Sequence, residues 1–182
     1  MKNRLLTEQM TEIALLISMA LVIEIVFMAF PGQPQGGSIS VSLIPLVVIA
    51  WRHGLRTGIY AGIIFGILNL LLAARLYHWA SLFLDYIFAF GVVGIAALFA
   101  RINRRSAVMF ALSLFVVGAL RFLFHFISGA VLFGEWAPEG QGVWEYSLVY
   151  NTTYMVPTII LIILVGVPVF IRLKDQIVAQ PE

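Results

Sequence analysis

The sequence predicts an all-α integral membrane protein with six transmembrane helices, the second of them short, in a single domain over residues 1–182. Three observations predict it. Hydrophobic residues make up 62% of the chain and charged residues 11%, against about 45–50% and about 25% in soluble domains. Mean hydropathy is +1.01, and a soluble chain of 182 residues could not bury that much apolar surface. The apolar residues gather in segments near the 20 or so that a spanning helix needs. The basic residues fall between these segments on one side. A disordered chain, a secreted disulfide scaffold and a typical soluble enzyme are excluded. With no cysteine there is no disulfide, thiolate metal site or cysteine nucleophile. The net charge of +2 reads as a topology signal rather than a nucleic-acid footprint.

Helix 1 is expected over 7–30. Its apolar run is too long for a signal-peptide core and lacks a convincing cleavage site, so no cleavable leader is expected. Helix 2 is expected over 40–51. Its dozen residues rise only about 18 Å, and Pro45 interrupts them. The preceding Pro31-Gly32-Gln33-Pro34-Gln35-Gly36-Gly37-Ser38 segment must therefore supply depth. Non-helical backbone at that depth survives only inside protein or lining a cavity, and short Gly/Pro-interrupted segments point to a binding site in transporters. Helix 3 is expected over 55–73. Gly54, Gly58, Gly62 and Gly66 form a flat stripe at four-residue spacing, which allows close helix packing inside the molecule. Helices 4, 5 and 6 are expected over 79–100, 106–130 and 144–173.

Lys2, Arg4, Arg52, Arg56, Arg101, Arg104, Arg105, Arg172 and Lys174 share one side of this arrangement, and the opposite loops hold only Arg75. The positive-inside rule then places both termini in the cytoplasm of a multi-pass protein.

Ionisable residues within spans are costly and point to function. Glu24, Asp85, Arg121 and His125 all fall near the outer ends of their helices, level with Tyr146, Tyr150, Asn151 and Tyr154. A pocket opening through the outer leaflet explains the shared depth. Arg121, His125 and Gly129 share a face of helix 5, with Gly129 open to close approach by a ligand. Phe133, Trp136 and Trp144 lie on the loop that follows or beside it. Aromatic faces, an amide, an imidazole and a carboxylate suit a flat heteroaromatic ligand, and the rings also attract a cation. Arg121 is assigned to Glu24, leaving Asp85 for the ligand; the alternative is an internal Asp85–Arg121 salt bridge. Trp79 and Trp144 also fit an ordinary aromatic belt. No catalytic, P-loop or metal motif is found, so no cofactor is expected, and any energy for uptake must come from a partner or an ion gradient.

Several segments together carry a family resemblance: Pro34-Gln35-Gly36-Gly37-Ser38, Leu84-Asp85-Tyr86, Arg121 through His125 to Ile127-Ser128-Gly129-Ala130, and Trp144 through Tyr146, Tyr150 and Asn151 to Tyr154-Met155 and Pro157. The chain resembles the thiamine-specific S-components of energy-coupling factor transporters, the small substrate-binding membrane subunits of bacterial vitamin importers. The resemblance implies an S-component-like six-helix bundle in the bacterial cell membrane that binds thiamine from outside. Asp85, Tyr86, His125, Gly129, Tyr146 and Asn151 match its pocket positions. Phe133 stands where some members have Trp, and Pro34 and Gln35 stand where some have a loop Trp; Phe133 and Gln35 are taken as the ligand contacts there. The resemblance also implies a transmembrane coupling subunit and two ATP-binding subunits as partners. The coupling subunit would meet helix 1 at an A-x-x-x-A-like surface, here Ala14 and Ser18. Rival readings keep the fold with another vitamin or a thiamine precursor, or make the chain a membrane-embedded enzyme or a proton-coupled carrier.

Overall fold

The computed structural model describes residues 2–30, 33, 36–73 and 76–178. It is all-helical, with no strand among the described residues. The six helices are α1 (Lys2–Met28), α2 (Leu43–His53), α3 (Leu55–Ala73), α4 (Leu82–Ile102), α5 (Ala107–Leu132) and α6 (Val143–Val178). A single 3₁₀ turn, Gly134–Trp136, lies between α5 and α6. All but α2 are long and apolar enough to cross a membrane.

The short α2 sits at the centre. Leu43 through Trp51 are all buried, which explains an apolar surface all round the helix. Pro45 does not break it. It falls in the first turn, where a backbone N–H has no intrahelical partner to lose. The helix stops at Gly54, which takes a left-handed φ of 91° while its N–H bonds the Ala50 carbonyl at 2.9 Å.

The glycine stripe of α3 packs against α4, as its spacing implies. A Cβ on Gly58 would stand 2.8 Å from the Gly94 Cα, and one on Gly66 would stand 2.5 Å from the Tyr86 carbonyl oxygen. On Gly62 it would overlap the Phe90 carbonyl. The two backbones are in contact, so α4 is held by its main chain. It is also irregular. Leu82–Phe88 is π-helical and Val92–Ile95 is 3₁₀, so the wide turn is followed by a tight one.

An aromatic cluster closes the half of the bundle that carries most of the basic residues. Phe110 and Phe170 stack at 4.4 Å, and the Trp51 ring meets both edge-on at 5.1 and 5.6 Å. Polar groups clasp the same end. Trp51 Nε1 donates to the Arg104 carbonyl at 3.1 Å, while Arg104 Nη2 donates to the carbonyls of Trp51 and Arg52 at 3.0 and 2.7 Å. The last two bonds cap the free carbonyls at the α2 C-terminus. Arg52 pairs with Glu12 of α1 and donates to the Gln176 carbonyl of α6. These contacts bring the early turns of α1 and the last turns of α6 to one end. The opposite half is left hollow.

Candidate functional site

A cavity of about 500 Å³ occupies that opposite half, within the roughly 300–1,000 Å³ usual for small-molecule sites. All six helices except α2 contribute to its wall, together with the described parts of the 29–42 loop. Asp85, Tyr86, His125, Gly129, Phe133, Tyr146 and Asn151 all line it. Gln35 lies outside the described residues, as do Pro31, Gly32 and Pro34. The neighbouring Gln33, Gly36, Gly37 and Ser38 do border the cavity. Ala14 and Ser18 stand elsewhere, on an exposed face of α1, where the Ser18 hydroxyl donates to the Ala14 carbonyl at 2.8 Å.

The wide π turn of α4 carries Asp85 and Tyr86. Such turns are rare and concentrate at functional sites. His125 Nδ1 donates to Asp85 Oδ1 at 2.8 Å, and the Ser128 hydroxyl donates to Oδ2 at 2.6 Å. A carboxylate keeps further acceptor capacity on each oxygen, so these bonds fix its orientation without filling it. The His125 ring meets Tyr154 edge-on at 6.1 Å. Tyr154 donates to Asn151 Oδ1 at 2.6 Å, and Asn151 Nδ2 donates to the Ser147 carbonyl at 2.8 Å. Asn151 is thus held by its own helix.

Two expectations change, and one alternative is not met. Glu24 does not pair with Arg121. Its buried carboxylate accepts from Ser42 Oγ at 2.6 Å and Ser38 Oγ at 3.0 Å, tying the 29–42 loop to α1. Nor does Asp85 form an ion pair with Arg121. Instead the Arg121 guanidinium lies over the Phe90 ring, 4.1 Å from its centre, a cation–π seat at the cavity floor. Gly129 borders the cavity, but its missing side chain makes room for α6: a Cβ would collide with the Ser147 hydroxyl and come within 3.1 Å of Asn151 Nδ2.

The loop is seated by backbone contacts. Tyr150 donates to the Gly36 carbonyl at 2.7 Å. Gly37 has a φ of 96°, and a Cβ there would stand 2.8 Å from the Tyr154 ring. At the rim, Phe133 and Trp136 stack at 5.2 Å, and Tyr77 meets Trp136 edge-on at 5.2 Å. Trp144 and Trp79 do not line the cavity. They are 53% and 71% exposed, consistent with belt positions.

Sequence reasoning missed Asn69, Tyr77, Ser81 and Ser147, all in the cavity wall. Asn69 carries a readable signal: it is the one amide in the apolar run from Ile59 to Ala74. Tyr77 reads as a loop residue, and its turn towards the rim depends on the fold. No group of acidic and histidine residues among those described could hold a metal ion.

A family model described as thiamine transporter protein (Thia_YuaJ) matches residues 10–178. The thiamine transporter ThiT of Bacillus subtilis (strain 168) is 39% identical over 163 residues, covering 84% of this chain and 85% of that protein. The thiamine transporter ThiT of Lacticaseibacillus paracasei is 34% identical over 139 residues, covering 69% of each. A solved structure of ThiT from Listeria monocytogenes superposes with a TM-score of 0.79 at 22% identity, over 94% of this chain and 97% of that one. It has the same fold.

Proposed function

The chain belongs to the thiamine transporter protein family, and from that premise we propose that it is the thiamine-binding S-component of an ATP-driven energy-coupling factor importer. It captures thiamine from outside the cell in the cavity between α1 and α3–α6 and does no chemistry on it. The basic end faces the cytoplasm, with both termini.

The charge balance of the cavity carries this reading. Its fixed charges are the carboxylates of Glu24 and Asp85 and the guanidinium of Arg121, a net of one negative charge. Thiamine carries one fixed positive charge on a flat thiazolium ring joined to an aminopyrimidine. The aromatic rim of Tyr77, Phe133 and Trp136 supplies faces for the cation. Asp85, oriented by His125 and Ser128, accepts from the pyrimidine amino group. Tyr86, Tyr146 and Asn151 contact the remaining edges, and Gln35 is a further ligand contact in this reading. Buried partners of this kind penalise ligands that leave them unpaired.

An ATP-driven importer needs ATP-binding partners for a chain in which no nucleotide-binding motif is found. Ala14 and Ser18 on the exposed face of α1 present small side chains, which allow another helix to come close. There a transmembrane coupling subunit docks, itself bound to two ATP-binding subunits. The test is calorimetric titration of the purified chain with thiamine, riboflavin and pyridoxine. Saturable binding of one thiamine per chain is expected. Preferential binding of either other vitamin overturns the reading.

A further inference from the structure

Gln33, Asn69 and Asn151 are the described carboxamides that line the cavity, and the two carried by helices differ in one respect. Asn151 has both ends occupied, by Ser147 and Tyr154. Asn69 is 6% exposed, its Oδ1 is buried without a partner, and its amide nitrogen makes no hydrogen bond to a described residue. It neither caps a helix nor bonds back along α3. An amide in the middle of an apolar helix is a poor helix former, and burying one unpaired is unfavourable. Nothing among the described residues accounts for it.

Its position does. The glycine contacts set the register of α3 on α4: Gly58 lies against Gly94, Gly62 against Phe90 and Gly66 against Tyr86. Carried one turn further, this antiparallel ladder sets Asn69 beside the start of the π turn that carries Asp85. Both residues line the same cavity. Their chemistry is complementary, because an ionised carboxylate only accepts while a carboxamide offers two donors and an acceptor. An aminopyrimidine edge holds an amino donor next to a ring-nitrogen acceptor. Asp85 can serve the first and not the second.

We propose that Asn69 is a ligand-contacting, specificity-determining residue whose carboxamide donates to the pyrimidine nitrogen beside the amino group, at the edge that Asp85 also reads. This rests on the thiamine reading above.

The test uses the purified full-length protein and two ligands: thiamine, and an analogue with C–H in place of that ring nitrogen. In wild type the analogue should bind roughly ten- to hundredfold more weakly, the scale of a buried group left unpaired. Asn69→Leu keeps the branched heavy-atom skeleton, at a larger volume, and removes both hydrogen-bonding ends. It should weaken thiamine by a similar factor, and the analogue should then lose less than about twofold against thiamine, as a double-mutant cycle requires of a direct contact. The ligand-free thermal midpoint should stay level or rise, because an unpartnered amide has gone. Asn69→Ala repeats the cycle should the Leu side chain prevent folding. Equal analogue losses in wild type and variant overturn the assignment, as does a fall in the ligand-free midpoint of both variants with thiamine discrimination intact. Wild-type protein that does not bind thiamine overturns the underlying reading instead, and shows it before any substitution is made.

Discussion

Asp85 and His125 meet at 2.8 Å, carboxylate Oδ1 to imidazole Nδ1, from the π turn of α4 and the C-terminal third of α5. With Ser128 on the other oxygen, the carboxylate is aimed by two donors from one helix before any ligand arrives. Such preorganisation lowers the ordering cost of binding. It also means that Asp85 cannot be altered without releasing its neighbours.

Asp85→Asn should therefore weaken thiamine binding by about 1.5–3 kcal/mol, the scale of a hydrogen bond to a charged group. Part of the loss comes from His125, whose Nδ1–H would face an amide. Ser128→Ala removes only one aiming contact and should cost less. Calorimetry on both variants at equal folded fraction checks the order. Wild-type affinity in a well-folded Asp85→Asn protein would remove Asp85 from the contact set.

Glu24 has a different task. Its carboxylate holds Ser38 and Ser42, so Glu24→Gln should loosen the loop rather than strip a ligand contact. A thermal destabilisation of about 1–3 kcal/mol is expected for the buried bonds disturbed. Faster amide exchange should accompany it at residues 36–42. Exchange unchanged in that segment would show that the loop is seated by Tyr150 and Tyr154 alone.

At the rim, Phe133→Ala should weaken thiamine by roughly 1–3 kcal/mol through lost aromatic contact and apolar burial. Trp136 stacks on Phe133, so thiamine should change tryptophan fluorescence saturably, and Trp136→Phe should remove most of that change. A signal that survives in Trp136→Phe must come from Trp51, Trp79 or Trp144 and would move the ligand away from this rim.

Ala14→Trp or Ser18→Trp should leave thiamine binding intact, because neither residue touches the cavity. Uptake by the assembled transporter should be lost if a coupling helix packs there. Equal loss of binding and uptake would make the pair part of the bundle's own packing.

Much of this was legible from patterning. Hydropathy and segment length specify the all-helical membrane bundle, and the glycine spacing of α3 specifies a close helix neighbour. The shared depth of Glu24, Asp85, His125 and Asn151 puts a cavity at one end. Pairings across helices were not legible. Periodicity tells which residues share a face of one helix but not how that helix is rotated against the next. Charge alone therefore pairs Glu24 with Arg121, although serines of the adjoining loop and the Phe90 ring take those places. The π turn adds to the difficulty, since it breaks the 3.6-residue period at the segment that carries Asp85. Asn69 stands out as the one amide of its apolar run, but the sequence does not show that this face of α3 turns to the cavity.

The last prediction joins packing to the site. Gly66 touches the Tyr86 carbonyl, one residue beyond Asp85, and a Cβ there would stand 2.5 Å from that oxygen. A main-chain atom cannot swing aside as a side chain can. Gly66→Ala must push α3 off the π turn, and overpacking of this kind costs about 1–3 kcal/mol. Because the displaced segment carries Asp85 and Tyr86, thiamine affinity should fall along with the thermal midpoint. Gly91, on the same helix α4, is the control. Its φ is −60°, and a Cβ there would meet only the Ile63 side chain, Cγ1 at 3.5 Å and Cδ1 at 4.0 Å, both ordinary contacts. Gly91→Ala should leave affinity unchanged and should stabilise by up to about 1 kcal/mol from helix propensity. Thermal unfolding and thiamine titration of the two variants separate the cases. Two variants that behave alike would show that the backbone contact between α3 and the π turn does not hold the site in place.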